Sequence, residues 1–112
     1  MQVIKRNGSK VEFEGSKIYD AIVKAASEVY VLDDQFKLQL AELANNVVLD
    51  LNDLGIESVT ISMVQSQVEQ RLISAGFINI AERYIAYRLQ RDLERYGYDE
   101  RLVVHLHFER LS

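Results

Sequence analysis

Two short apolar runs flank a polar stretch over the first thirteen positions, and the chain then settles into a helical period. Val3-Ile4 and Val11-Glu12-Phe13 are short runs of strand formers on either side of Asn7-Gly8. Asn-Gly tolerates positive φ at both residues, as a two-residue type I′ hairpin turn requires. Such a turn sets Arg6 opposite Ser9, Lys5 opposite Lys10, Ile4 opposite Val11 and Val3 opposite Glu12. Ile4, Val11 and Phe13 would then face a core, and Val3, Lys5, Lys10 and Glu12 would face away. Two opposed lysines repel by roughly a few tenths of a kcal/mol, a sign that a bound anion reverses.

Beyond the hairpin the period is helical. From Ser16 to about Val31, the residues Ile18, Ile22, Ala25 and Val29 recur on one face. Asp33-Asp34 offers an N-cap for a second helix over about 34–54. Its stripe is Phe36, Leu40, Leu43, Val47, Leu51 and Leu54, with Gly55 as the C′ residue. Leu38, Ala41, Ala44 and Val48 add a second apolar flank, which predicts that this helix is the most buried. Glu57–Ile61 is short and β-branched, a third strand beside the hairpin. Ser62-x-x-Gln65 has capping-box form and opens a helix to about Ala75, with Val64, Val68 and Leu72 inward and Gly76 ending it. Asn79-x-x-Glu82 opens a fourth helix over about 79–96, with Ala81, Ile85, Leu89, Leu93 and Tyr96 inward and Gly97 stopping it. Leu102–Phe108 reads as an additional strand, or as a stump leading into a further domain. The pattern is α+β, with one domain over 1–97 and a C-terminal extension over 98–112.

Charge changes this picture at one place. The chain carries −4 in total, with a pI near 5.1. Residues 1–24 hold Lys5, Arg6, Lys10, Lys17 and Lys24 against Glu12, Glu14 and Asp20, so they carry +2 and the remainder −6. Gly15-Ser16 reads as a helix start, which puts Lys17 in a first turn beside free backbone amides. Lys5, Arg6, Lys10 and Lys17 therefore converge where a polyphosphate could sit, although a merely solvated basic hairpin has the same composition. A small basic site on an acidic body suits a compact anion better than a nucleic-acid duplex.

Composition removes several classes. No run of about eighteen apolar residues exists for a membrane span, and the N-terminus lacks a signal-peptide core. With no cysteine there is no disulfide, no thiolate catalysis and no zinc ribbon, which fits a cytoplasmic protein. There is no Walker loop, no G-x-S-x-G and no close carboxylate pair in apolar context, so neither a catalytic set nor an enzyme is expected. His105 and His107 alternate on the last apolar run without a third ligand, too little for a metal site.

The order of residues adds more than the charges. Val3-x-Lys5-Arg6-Asn7-Gly8, then Val11-x-Phe13, then Lys17-Ile18, closely resembles the opening of the ATP-cone. That family is a small regulatory nucleotide-binding domain found mainly at the N-terminus of ribonucleotide reductases, and beside a zinc ribbon in the repressor of reductase genes. Ala81-x-x-Tyr84-Ile85-x-Tyr87-Arg88 resembles the family's A-x-x-Y-x-x-Y/F-R helix. The two matches bracket residues 3 to about 92.

The resemblance implies a four-helix bundle capped by a three-stranded sheet, with the nucleotide under the sheet. It implies that Val3 touches adenine and that Lys5 and Arg6 serve the base edge and the phosphates. Lys17 would reach phosphate. Glu14 stands where the family often has Asn or Asp, and its length would shift the ribose contact. Thr60 and Gln65 stand closest to a polar pair near the ribose and phosphates, within a one-residue slip. Tyr87 and Arg91 would cover the base and pair with phosphate. From the residues alone, Tyr87 reads equally as core, Arg91 as part of a solvated helix face, and Thr60 as a strand residue.

The implied function is allosteric. ATP or dATP, with Mg²⁺ carried by the nucleotide, would change how cones associate and so switch a reductase in cis or in trans. One alternative is a DNA-binding regulator of reductase genes, opposed by the missing cysteines and the acidic pI. Another is a protein-interaction module with a decayed site, which ATP binding would distinguish.

Overall fold

The computed structural model describes the backbone of residues 1–96 and the side chains of residues 1–94. The readings at Gly97, Leu102–Phe108, His105 and His107, and the inward Tyr96 side chain, lie outside the described residues. Strands β1 (Gln2–Ile4), β2 (Lys10–Glu12) and β3 (Ser58–Thr60) and helices α1 (Gly15–Ser27), α2 (Asp34–Asn52), α3 (Ile61–Ser74) and α4 (Ile78–Tyr96) make up the fold. The sheet order is β2-β1-β3, with β1 antiparallel to β2 and parallel to β3. It is the expected α+β arrangement of four helices and a small three-stranded sheet.

The hairpin register differs from the expected one by a residue. Val3 pairs with Val11 and Ile4 with Lys10, while the Lys5 amide donates to the Ser9 carbonyl at 2.8 Å. Arg6, Asn7 and Gly8 therefore form a three-residue loop, closed by Gly8 N–H to the Lys5 carbonyl at 2.9 Å. Of the Asn-Gly pair only Gly8 has positive φ, at 86°. Asn7 instead accepts from the Ser9 amide and hydroxyl at 3.0 and 2.7 Å, which stabilises an Asx turn rather than a type I′ centre. A one-residue slip exchanges the faces of a strand. Val3 is consequently buried and shares its face with Lys5, Val11 and Phe13. Lys10 sits opposite Ile4 on the other face, so no pair of opposed lysines exists.

The core lies between the helices and the inner sheet face. Ile22, Leu40, Val47, Val59, Val68, Leu72 and Ile80 are fully enclosed. α1 ends four residues earlier than its periodicity suggests, with the Val29 and Tyr30 amides both turning back to the Ala26 carbonyl. Val29-Tyr30-Val31 are poor helix formers, and the Tyr30 ring packs on Phe36 at 5.5 Å, which in turn packs on Phe77 at 5.7 Å. This aromatic row turns the chain into α2, whose first turn is capped by Asp33 accepting from the Phe36 amide at 2.7 Å. α2 ends at Asn52, short of Leu54, and is less completely buried than its two apolar flanks suggest, since Leu38 is 70% exposed and Leu49 50%. Gly76 (φ 85°) closes α3 with a Schellman pattern, Phe77 N–H to Leu72 O and Gly76 N–H to Ile73 O. Among the described residues, no helix is long and apolar enough to cross a membrane.

Asp50 of α2 ties down α3 by accepting from Arg71 Nε and Nη2 and from Gln67 Nε2, each at 2.6 Å. The Arg71 hydrogen bond holds the Asp50 carboxyl below its ordinary 3.8. A depressed folded pKa contributes stability above the unfolded value and loses it as pH falls through the folded one. Asp50→Asn is therefore expected to lower the urea midpoint at pH 7 and to differ little from the parent near pH 2.

Candidate functional site

β1, β2, the N-terminus of α1, α3 and α4 enclose a cavity of about 220 Å³. The register just described determines its floor. β1 is the central strand, so Val3 and its face meet the start of α1 and the first turn of α3. Val3, Phe13, Ile18, Ala21, Ile61, Val64 and Tyr84 make that side apolar. Lys5, Arg6, Lys17, Arg88 and Arg91 form a cationic rim, which Glu12, Glu14 and Asp92 only partly offset. An apolar recess beside convergent cations suits a flat, hydrophobic group bearing an anionic tail.

Of the nine expected site residues, Val3, Lys5, Arg6, Glu14, Lys17, Gln65 and Arg91 line this cavity. Lys10, grouped with the phosphate cations on charge alone, points away because of the register. Glu14 precedes α1 and makes no side-chain cap to its amides. Its carboxylate lies 3.6 Å from Lys17 Nζ, in a pair exposed at both ends.

Thr60 and Tyr87 are not among the lining residues. α3 begins at Ile61 rather than Ser62, so Thr60 is its N-cap, its hydroxyl accepting from the Met63 amide at 3.2 Å. Gln65 is then free of the expected capping box and its Oε1 accepts from Arg6 Nη2 at 3.1 Å. Thr60→Ala is expected to cost ~1 kcal/mol in a denaturant melt through the lost cap. A loss of nucleotide affinity at unchanged stability would instead put the hydroxyl on the ligand. The Tyr87 ring is engaged by Lys24 Nζ at 4.9 Å and Arg83 at 6.0 Å from its centroid, on the α1–α4 flank.

The aromatic on the cavity side of α4 is Tyr84, a position of the family-like helix motif that was not among the expected site residues. It is 6% exposed and packs in the core. Burial, reinforced by Glu69 and opposed by Arg91 and Arg88, pushes its hydroxyl up to about 12, so it stays a neutral donor at ordinary pH. Asp92 and Arg88 were also missed as site residues. The i, i+4, i+7, i+8 spacing of Tyr84, Arg88, Arg91 and Asp92 places all four on one helix face, a signal that the apolar stripe of α4 obscured.

α4 fixes the polar side of the site through two ion pairs. Arg88 Nη2 lies 2.8 Å from Glu69 Oε1 of α3, with both side chains largely buried. Arg6 reaches from the hairpin loop to Asp92, Nε to Oδ1 at 3.1 Å and Nη2 to Oδ2 at 3.0 Å. Arg6 is thus less free than a solvated hairpin residue. Lys5 and Arg91 make no ion pair among the described residues. No group of side chains suited to hold a metal ion is found among the described residues.

A family model described as the ATP cone domain matches residues 1–93. The anaerobic ribonucleoside-triphosphate reductase of Haemophilus influenzae is 38% identical over 93 residues, 83% of this chain and 13% of that protein. The Escherichia coli protein of the same name is 34% identical over 93 residues, covering 83% and 12%. The ribonucleoside-diphosphate reductase subunit alpha of Chlamydia pneumoniae is 31% identical over 101 residues, covering 83% and 10%. The chain thus spans about an eighth or less of the length of these relatives.

Proposed function

The chain belongs to the ATP-cone domain family, and from that premise we propose that it is an allosteric regulatory domain that binds ATP or dATP in the cavity beneath the hairpin. The observation that carries this reading is the division of that cavity into an apolar floor and a cationic rim. Adenine lies against Val3, Phe13, Ala21 and Val64, with the Tyr84 hydroxyl available as a donor. Lys5, Arg6, Lys17 and Arg91 receive the phosphates, where charge-assisted contacts are strongest, and the amides at the start of α1 favour the same anion. Glu14 and Gln65 supply the polar contacts near the ribose. Mg²⁺ arrives with the nucleotide and neutralises part of its charge.

The regulated partner is a ribonucleotide reductase, in cis or in trans, as the named relatives suggest. Binding becomes regulation only if ATP and dATP stabilise different assemblies. Their sole difference is the 2′-hydroxyl, so one hydrogen bond of ~0.5–1.5 kcal/mol must select between packings. Exposed apolar residues, among them Val31 at 99% and Leu38 at 70%, offer contact surface, and the acidic body opposes self-association without a ligand. Light scattering is expected to give different masses with ATP and with dATP; one unchanged mass in every sample would contradict nucleotide-dependent association. The chain binds without turnover, so steady phosphate release that survives purification would overturn the regulatory reading.

A further inference from the structure

Resting on the nucleotide reading, we propose that Asp92 is an internal competitor of the nucleotide for Arg6, so that binding is an exchange of one anion for another. The two Arg6 groups that hold Asp92, Nε and Nη2, form the side of the guanidinium that recognises a phosphate bidentately. They cannot serve both anions in that geometry. The Asp92 side chain is 10% exposed and stands on a helix, whereas the Arg6 side chain is 32% exposed and stands on a loop. Arg6 is therefore the partner that moves. The other ion pair at the rim, Glu14 with Lys17, is solvated and longer at 3.6 Å, so it restrains its lysine far less.

The exchange has a place to act. Asp92 is 7% exposed on α4, a placement that leaves its carboxylate little water. Arg6 offsets that placement. Once phosphate takes Arg6, a buried carboxylate loses its compensating charge and must find another. One turn back on the same face is Arg88, itself paired with Glu69 of α3. Phosphate arriving at the hairpin is thereby felt at the α3–α4 contact.

The test is calorimetric titration of the parent chain, Asp92→Asn, Arg6→Ala and the double variant with MgATP, tripolyphosphate and adenosine. Asp92→Asn is expected to bind MgATP and tripolyphosphate roughly tenfold more tightly and adenosine unchanged. The gain should vanish in the Arg6→Ala background, because it acts through Arg6. Weaker or unchanged MgATP binding by Asp92→Asn would overturn the exchange and make Asp92 a residue that positions Arg6. A gain that persists without Arg6 would also overturn it, as simple removal of a nearby charge. Asp92→Ser repeats the test if the Asn variant does not fold. Failure of the parent chain to bind MgATP would sink the nucleotide reading and the exchange together, whereas binding by the parent without a gain in Asp92→Asn sinks the exchange alone.

Discussion

Ala21→Phe is expected to abolish nucleotide binding, a loss of more than about a hundredfold, while the domain stays folded. Ala21 is half-buried on α1 and its methyl group faces the apolar side of the cavity. A benzyl group there occupies the space assigned to adenine, so base and ring cannot coexist. The energetic comparison favours a clean result. Overfilling a packed core costs ~1–3 kcal/mol, but here the added volume enters an existing cavity. Losing the buried base contacts costs a ligand ~3 kcal/mol or more, a hundredfold or greater. Calorimetry with ATP, together with a thermal melt by circular dichroism, separates the two quantities. Parent-like affinity in a folded Ala21→Phe protein would place the base elsewhere.

Lys5→Ala and Arg91→Ala are each expected to weaken ATP binding by roughly ten- to a hundredfold, from ~1.5–3 kcal/mol per charge-assisted contact. Both side chains are exposed and make no ion pair among the described residues, so stability should scarcely change. Arg6→Ala differs in kind. It removes a phosphate contact and also strips Asp92 of its partner, so a stability loss of ~1–3 kcal/mol is expected as well. Urea melts distinguish the classes. Equal stability losses in all three variants would mean that these rim cations are structural rather than ligand-directed.

The helices were legible because each carries an apolar period, and two of them a cap or glycine at a boundary: Asp33 before α2, and Gly76 after α3. The third strand was legible from β-branched Val59 and Thr60. What failed was local geometry that periodicity does not encode. Asn-Gly is compatible with a two-residue turn and with a three-residue one, and the Asn7 side chain bonding to Ser9 favours the second. That single residue exchanged Val3 for Ile4 on the inner face and removed Lys10 from the site. The α3 cap moved from Ser62 to Thr60 for a similar reason, since both residues can accept from an amide three positions on.

Site legibility followed the same division. Lys5, Arg6 and Lys17, close to the turn and to the start of α1, were brought together by short-range geometry along with Lys10, which the register removes, whereas Glu14 came from the family resemblance. Those on α4 depend on the rotation of a long helix against the sheet. Tyr87 lies one position before Arg88, yet it faces Lys24 and Arg83 of the α1–α4 flank. Tyr84, Arg88 and Asp92 face the cavity instead. The Arg6–Asp92 pair spans 86 positions, a separation at which sequence spacing carries no information about contact.

The central claim is that this cavity binds an adenine nucleotide, and calorimetric titration of the unmodified chain with ATP in the presence of Mg²⁺ tests it most directly. The account predicts saturable heat with ATP and with dATP, lost in Ala21→Phe. The absence of heat at millimolar nucleotide from a folded chain would contradict it.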